Sequence, residues 1–173
     1  MIFALFIEED TMNILVRESR EDDKKEITRF IYDLGEYIMG IDPLGRVHEM
    51  PNQGVPYTEE MINKVSNNEG EIYVAEIEGR TVGFVAGIIE EYDSNDISGY
   101  GPFKEGRVIE LYVDEESRGK KAGQVLITKM EDYFREKQCD LIRIGVFKTN
   151  ENAQKFYSKL NYSERNIEIV KKI

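Results

Sequence analysis

A basic, glycine-rich run at a strand-to-helix junction is the most chemically informative part of this 173-residue sequence. It follows the apolar stretch 108–113 and the acidic turn 114–116. A helix N-terminus binds phosphate because its first N–H groups are unpaired and its dipole is positive there. Small residues leave room for the phosphate, and basic side chains add opposite charge. The residues predicted to bind an anionic cofactor are Arg118, Gly119, Lys120, Lys121, Ala122 and Gly123.

Two common phosphate-binding motifs are excluded by the residues themselves. No Gly-Lys-Ser or Gly-Lys-Thr follows the run, so an NTPase P-loop is not formed. The glycines also lack the Gly-x-Gly-x-x-Gly spacing of dinucleotide-binding folds. The run alone could still be an ordinary exposed turn before a helix.

Glu110 is a charged residue inside a predicted apolar strand. It lies in the apolar stretch 108–113, and strand alternation places Glu110 and Tyr112 on one face and Leu111 and Val113 on the other. A carboxylate among apolar residues is costly unless it has a use. A solvated sheet face would accommodate it equally well, so both interpretations stay open.

Tyr157 carries a hydroxyl on a predicted helix. A tyrosine is neutral at pH 7 and can donate its hydroxyl proton. Its helical spacing with Ala153, Phe156 and Leu160 would also suit a core aromatic residue.

Composition narrows the class of protein. The net charge of −11 argues against nucleic-acid binding, which requires a broad basic surface. Cys139 and His48 are the only residues of their types, so neither a disulfide nor a metal site is expected, and cysteine usage favours the cytoplasm. The apolar run 1–7 is too short to span a membrane and lacks the basic start of a signal peptide. We expect one domain over 1–173, with 1–11 as an N-terminal extension.

The elements that must position these residues follow from hydrophobic periodicity. The predicted order is β-α-α-β-β-β-α-β-α-β. The connection Glu78-Gly79 predicts a hairpin, and the helix between the fourth and fifth strands predicts a parallel crossover. Ser19 is the predicted N-cap of the first helix, and Thr58 that of the second. Strands are predicted at 13–17, 72–77, 81–89, 107–113, 141–146 and 167–170, the later helices at 121–137 and 150–160, and loops at 41–57 and 93–106.

With these elements in place, the basic run resembles motif A of the GNAT superfamily of N-acetyltransferases. Its phosphate loop is usually Arg/Gln-x-x-Gly-x-Gly/Ala. Arg118 holds the first position and Gly123 the last, whereas Lys121 replaces the fourth-position glycine. That side chain could crowd a pyrophosphate or contribute a charged contact to it.

A second stretch is similar to motif B of the same superfamily, commonly Asn-x-x-Ala-x-x-Phe-Tyr-x-x-x-Gly-Phe. Asn150, Ala153 and Tyr157 match it, and Asn161-Tyr162 replaces the final pair. Asparagine can adopt the left-handed conformation that glycine takes at a helix end. The resemblance covers roughly 72–162.

The resemblance implies an α/β (α+β) fold of GNAT type, with a mixed, mostly antiparallel sheet of six or seven strands and about four helices. It implies direct transfer of an acetyl group from acetyl-CoA to a primary amine, with Glu110 as base and Tyr157 as acid. It also implies that the backbone of Leu111, Tyr112 and Val113 pairs with pantetheine, Val113 N–H stabilising the oxyanion. The remaining implied cofactor contacts come from 118–123, Asn150, Ala153 and Tyr157.

The expected partners are acetyl-CoA and an amine acceptor, without nucleic acid or membrane, and with homodimerisation left open. The resemblance assigns the acceptor pocket to the first two helices and their loop. Candidate lining residues are Tyr32, Tyr37, Met39, Asp42 and Tyr57. Two alternatives remain open: a catalytically weak acyl-CoA-binding or regulatory module, and an acidic interaction domain without cofactor.

Overall fold

One five-stranded sheet, whose central strands are buried on both faces, organises the computed structural model, which describes residues 13–93 and 101–171. Strand order follows the sequence. The first four strands pair antiparallel, and the last pair is parallel. The strands are β1 (Ile14–Glu18), β2 (Glu71–Ile77), β3 (Arg80–Tyr92), β4 (Phe103–Val113) and β5 (Leu141–Ile144).

Helices cover both faces of this sheet. Three short 3-10 turns, Glu21–Asp23, Pro51–Gly54 and Glu115–Ser117, precede three of them. The α-helices are α1 (Lys24–Ile41), α2 (Val55–Asn67), α3 (Ala122–Glu136) and α4 (Glu151–Lys159).

Two apolar cores lie on opposite sides of the sheet. Ile27, Phe30 and Ile31 of α1 pack with Met61 of α2 on one side. Leu126 and Phe134 of α3 centre the other core, and α4 joins its margin. Each such side chain contributes about 1.5–3 kcal/mol when fully buried. The sheet is therefore held between α1 and α2 on one face and α3 and α4 on the other.

A β-bulge interrupts the pairing of β3 with β4. Ala86 pairs with Glu110, but the next residue, Gly87, pairs with Val108, so Ile109 is the extra residue. Val108 packs in the α3 core, whereas Ile109 packs against the α1–α2 core. The bulge thus turns Glu110 to the face that α1 and α2 cover.

Beyond this bulge β4 has no partner on its outer edge within the described residues. The parallel pairing with β5 covers only Glu105 to Val108, opposite Leu141 to Ile144. The final five residues of β4 therefore line a gap between the two strands.

Several predictions are confirmed. The hairpin has positive φ at Glu78 (52°) and Gly79 (77°), and α3 forms the parallel crossover between β4 and β5. Asn161 ends α4 with φ 66°, as expected of the residue that replaces glycine in motif B.

Other predictions are wrong. The sheet has five strands rather than six or seven, because 167–170 is not a strand and its Ile169 is 91% exposed. β4 begins at Phe103, so residues 103–106 at the end of the predicted loop 93–106 are strand. Thr58 does not cap α2, which begins earlier because Pro56 suits the first turn of a helix. Ser19 is not the cap before α1 either, since Arg20 precedes the 3-10 turn there. The predicted extension 1–11 lies outside the described residues.

In the part of the chain that the structure describes, no helix is both long and apolar enough to cross a membrane.

Candidate active site

Glu110 is hydrogen-bonded to a tyrosine of α2, in the helix layer that covers its face of the sheet. The Tyr57 hydroxyl of α2 donates to Glu110 Oε1. Burial raises the pKa of Glu110 above its ordinary value, and the hydrogen bond from Tyr57 partly opposes that rise. The carboxyl group is therefore easier to protonate than a solvated glutamate.

Tyr157 approaches the same carboxylate from α4. Burial raises the pKa of the Tyr157 hydroxyl, and the negative charge of Glu110 raises it further. Its ring packs edge-on against Phe156 and Tyr162, with centroids 5.0 and 5.6 Å away. Among the described residues no hydrogen-bond partner occupies its hydroxyl, so this proton donor is available.

Glu110 and Tyr157 come from opposite sides of the sheet. Glu110 faces the α1–α2 side, whereas Tyr157 belongs to the α3–α4 side. The charge of Glu110 nevertheless acts on the Tyr157 hydroxyl. Glu110 itself lies beyond the end of the β4–β5 pairing.

The edge of β4 along this gap offers free backbone amides. Asp114 N–H donates to the Val82 carbonyl of β3 at 2.8 Å. Amide directions alternate along a strand, so Tyr112 N–H also faces β3, and those of Leu111 and Val113 face the gap. An extended ligand could pair with these two residues, but not with the amide of Tyr112.

Tyr112 itself contributes its side chain to the core. Its ring is buried against Phe30, with centroids 5.4 Å apart. Arg118 contacts both Tyr112 and the end of β4. Its guanidinium carbon is 5.6 Å from the centroid of the Tyr112 ring, and its Nε donates to the Val113 carbonyl at 3.1 Å. Arg118 therefore joins the end of β4 to the following loop.

The loop before α3 presents unpaired amides, as an anion site requires. The first helical bond runs from Val125 N–H to the Lys121 carbonyl at 3.1 Å, which leaves the three preceding N–H groups without helical partners. Gly119 has φ 78° and an open surrounding, and Lys120 is exposed. Ala122 is buried, and Gly123 lies next to Phe156 and Val113.

Lys121 occupies its position in the left-handed conformation, with φ 70° and ψ 1°. That conformation explains why a glycine is usual there. Its side chain is exposed and lines a shallow groove of about 360 Å³ with Ile14 and Val16 of β1. The groove lies on the β1 side of α3.

Asn150 and Ala153 form the start of α4. Asn150 Oδ1 accepts from Ala153 N–H at 3.1 Å and from the Tyr37 hydroxyl at 3.2 Å. The Thr149 hydroxyl donates to the Ile41 carbonyl at 2.7 Å. These contacts fasten the end of α1 beside the β4–β5 gap.

The acceptor-pocket candidates are not one cluster. Tyr37 contacts Asn150, and Tyr57 contacts Glu110. Asp42 instead accepts backbone N–H bonds from Leu44, Arg46 and Val47, which folds the loop after α1. Of these candidates only Tyr57 bonds to a predicted catalytic side chain.

Two features of the site escaped sequence reasoning. Nothing in the pattern 108–113 signals the bulge, because the extra residue is defined only by pairing with β3. The bond from Tyr57 to Glu110 was also missed, although Pro56 could have placed Tyr57 in the first turn of a helix.

Comparison with solved structures shows the same fold. A mutant form of a Bacillus halodurans protein superposes with a TM-score of 0.81 at 18% identity, covering 92% of this chain and 99% of that one. A GCN5-related N-acetyltransferase from Ralstonia eutropha JMP134 gives 0.69 at 20% identity, covering 93% and 99%.

Curated relatives are similar in sequence over part of their length. An uncharacterized N-acetyltransferase of Methanocaldococcus jannaschii is 31% identical over 103 residues, which is 60% of this chain and 43% of the relative. One from Archaeoglobus fulgidus is 35% identical over 94 residues, or 54% of this chain and 60% of the relative. The chain matches about half the length of these relatives.

The pattern of the acetyltransferase (GNAT) family matches residues 42–162, from the loop after α1 through the end of α4. That span contains Tyr57, Glu110, the loop before α3 and Tyr157. The chain therefore belongs to the GNAT acetyltransferase family.

Proposed function

We propose that this protein transfers an acetyl group from acetyl-CoA directly to a primary amine. One observation carries the proposal: Glu110 lies where β4 no longer pairs with β5 and is bonded to Tyr57 on one side of the sheet, and its charge acts on Tyr157 of α4 on the other side. The amine must lose a proton and the departing thiolate must gain one, at two different atoms bonded to the same reacting carbon. The two groups are arranged for that division of labour.

Residues of the open edge fit the cosubstrate. Leu111 and Val113 would pair with the amide groups of pantetheine as an added strand, and Val113 N–H would stabilise charge on the thioester oxygen. The unpaired amides before α3, with Arg118, Lys120 and Lys121, would hold the pyrophosphate. Asn150 and Ala153 would support the ligand from the start of α4.

Glu110 accepts a proton as the amine nitrogen bonds to the acetyl carbon. Tyr157 donates its proton to the sulfur as the carbon–sulfur bond breaks. The products are the N-acetyl amine and CoA thiol, and the two residues exchange protons with solvent afterwards. Positioning both reactants supplies a large further part of the rate.

Glu110→Gln tests this assignment. The amide cannot accept the proton, so turnover should fall by about 10²–10⁴ while acetyl-CoA affinity is unchanged. Thiol release against a panel of primary amines measures turnover, mass spectrometry identifies the N-acetyl product, and calorimetry measures binding. Because burial raises the pKa of Glu110, wild-type activity should decline on acidification above the usual carboxyl range.

Two results would reject parts of the proposal. Tight acetyl-CoA binding without thiol release from any amine would identify a binding module instead of an enzyme. Full turnover by Glu110→Gln would remove Glu110 as the base.

A further inference from the structure

Tyr57 enters the site from an unusual backbone turn. Asn52, Gln53 and Gly54 all lie in the left-handed region, with φ of 49°, 52° and 83°. Non-glycine residues in this region cost about 1–2 kcal/mol each. Backbone strain of this kind is retained where the surrounding structure imposes it, and it concentrates at functional sites.

The turn fixes the first residues of α2. The Thr58 hydroxyl, fully buried, donates to the Gly54 carbonyl at 3.0 Å, and Pro56 begins the helix. Tyr57 stands between these two constrained residues. Its direction toward β4 is therefore set by the turn, although its side chain is 41% exposed.

The resulting hydrogen bond uses only one of the two carboxylate oxygens. Tyr57 donates to Glu110 Oε1, and Oε2 has no hydrogen bond within the described residues. Burial and the charge of Glu110 raise the pKa of Tyr57, so it stays a donor across the working pH range. One carboxylate oxygen is held while the other remains free.

We propose that Tyr57 is a positioning residue that fixes the Glu110 carboxylate and directs its free oxygen Oε2 toward the acceptor amine. This inference rests on the proposed function, since it assumes that Glu110 takes the proton. In this role Tyr57 acts through Glu110, to which its hydroxyl donates.

The other groups that face Glu110 leave this role to Tyr57. Tyr157 faces it from α4, Ala86 pairs with it from β3, and Glu60 is near enough to raise the pKa of Tyr57. Among the described residues, Tyr57 alone donates a hydrogen bond to the carboxylate. Removing that hydroxyl destabilises the charged form, so protonation should occur at higher pH.

Tyr57→Phe is the test, with Tyr92→Phe as the matched control. The Tyr92 hydroxyl also donates to a glutamate, Glu90 Oε2, at 3.0 Å, but this pair lies at the C-terminal end of β3. For Tyr57→Phe we expect the acid-side decline of kcat/KM to occur at higher pH than in wild type. We also expect kcat about tenfold lower at pH 7 and an unchanged KM for acetyl-CoA. The control should match wild type in all three.

A second readout does not depend on turnover. Carbon NMR of glutamate-labelled protein, with the Glu110 signal assigned through Glu110→Gln, follows its titration directly. An upward shift in Tyr57→Phe alone supports the proposal. Unchanged titration and pH profile would overturn it even if Glu110→Gln is inactive, in which case Glu110 stays the base. Full activity of Glu110→Gln would instead reject the proposed function.

Discussion

Burial acts on Glu110 and Tyr157 in ways that suit opposite roles. It raises the pKa of the glutamate, which strengthens it as a base, and the pKa of the tyrosine, which keeps it protonated. The negative charge of Glu110 adds to the second effect. One low-polarity opening therefore favours both proton transfers.

Tyr157→Phe separates a catalytic hydroxyl from a structural ring. The ring and its packing on Phe156 and Tyr162 are kept. Since no described residue bonds to the hydroxyl, the free energy of unfolding should change by less than about 0.5 kcal/mol. Turnover should fall by about 10²–10⁴, with acetyl-CoA affinity retained. Thermal denaturation, calorimetry and thiol release measure the three quantities, and undiminished turnover would end the assignment of Tyr157 as acid.

At the scale of single residues, the sequence identifies candidate site residues but not the partners to which they bond. Glu110 stands out because it interrupts an apolar stretch, and Tyr157 because motif B surrounds it. The hydrogen bond from Tyr57 joins residues 53 positions apart. Such a contact depends on how α2 packs over the sheet, which no local pattern encodes.

At the scale of elements, the local sequence predicts the structure well where a turn requires particular residue types. The hairpin at Glu78-Gly79 and the left-handed end of α4 at Asn161 were predicted for that reason. The predicted start of α2 is wrong because Thr58 has a typical capping side chain, whereas the helix begins at Val55 after Gly54 and the Thr58 hydroxyl donates to the Gly54 carbonyl within it. The bulge is a property of two strands together and has no signal in either.

Lys121→Gly tests the backbone requirement before α3. Glycine accepts φ 70° without strain, which offsets its greater freedom in the unfolded chain. The variant should be at least as stable as wild type. Lys120 is the matched control, because its φ is not positive, and Lys120→Gly should lose about 0.5–1 kcal/mol. Denaturant unfolding measures both, and equal losses would contradict the left-handed assignment.

At the scale of the whole molecule, the C-terminal segment departs most from expectation. Its alternation suggested a closing strand, yet Ile167 is 75% exposed and Ile169 is 91% exposed. Strand propensity depends on packing against neighbours, and no residue that the structure describes buries Ile167 or Ile169. Homodimerisation stays a prediction that this segment makes worth measuring.

The double variant Ile167→Ser, Ile169→Ser tests the five-stranded sheet. Because both side chains are exposed, the free energy of unfolding should stay within about 0.5 kcal/mol of wild type. A loss above about 2 kcal/mol would show that the segment is buried in solution. Sedimentation velocity of both proteins over a concentration series would show whether those side chains join two copies.

The bulge at Ile109 has a consequence for how β4 tolerates change. One added residue shifts the inside–outside phase of the strand, so Val108 and Glu110 point to opposite faces although they are two residues apart. The residues before the bulge alternate between the two faces in one phase, and the residues after it alternate in the opposite phase. Deleting Ile109 would restore regular alternation, with Val108 on the α3 side and Glu110 still opposite Ala86 on the α1–α2 side. The face that the carboxylate takes is thus set by its pairing with Ala86 of β3 as much as by its own position in β4.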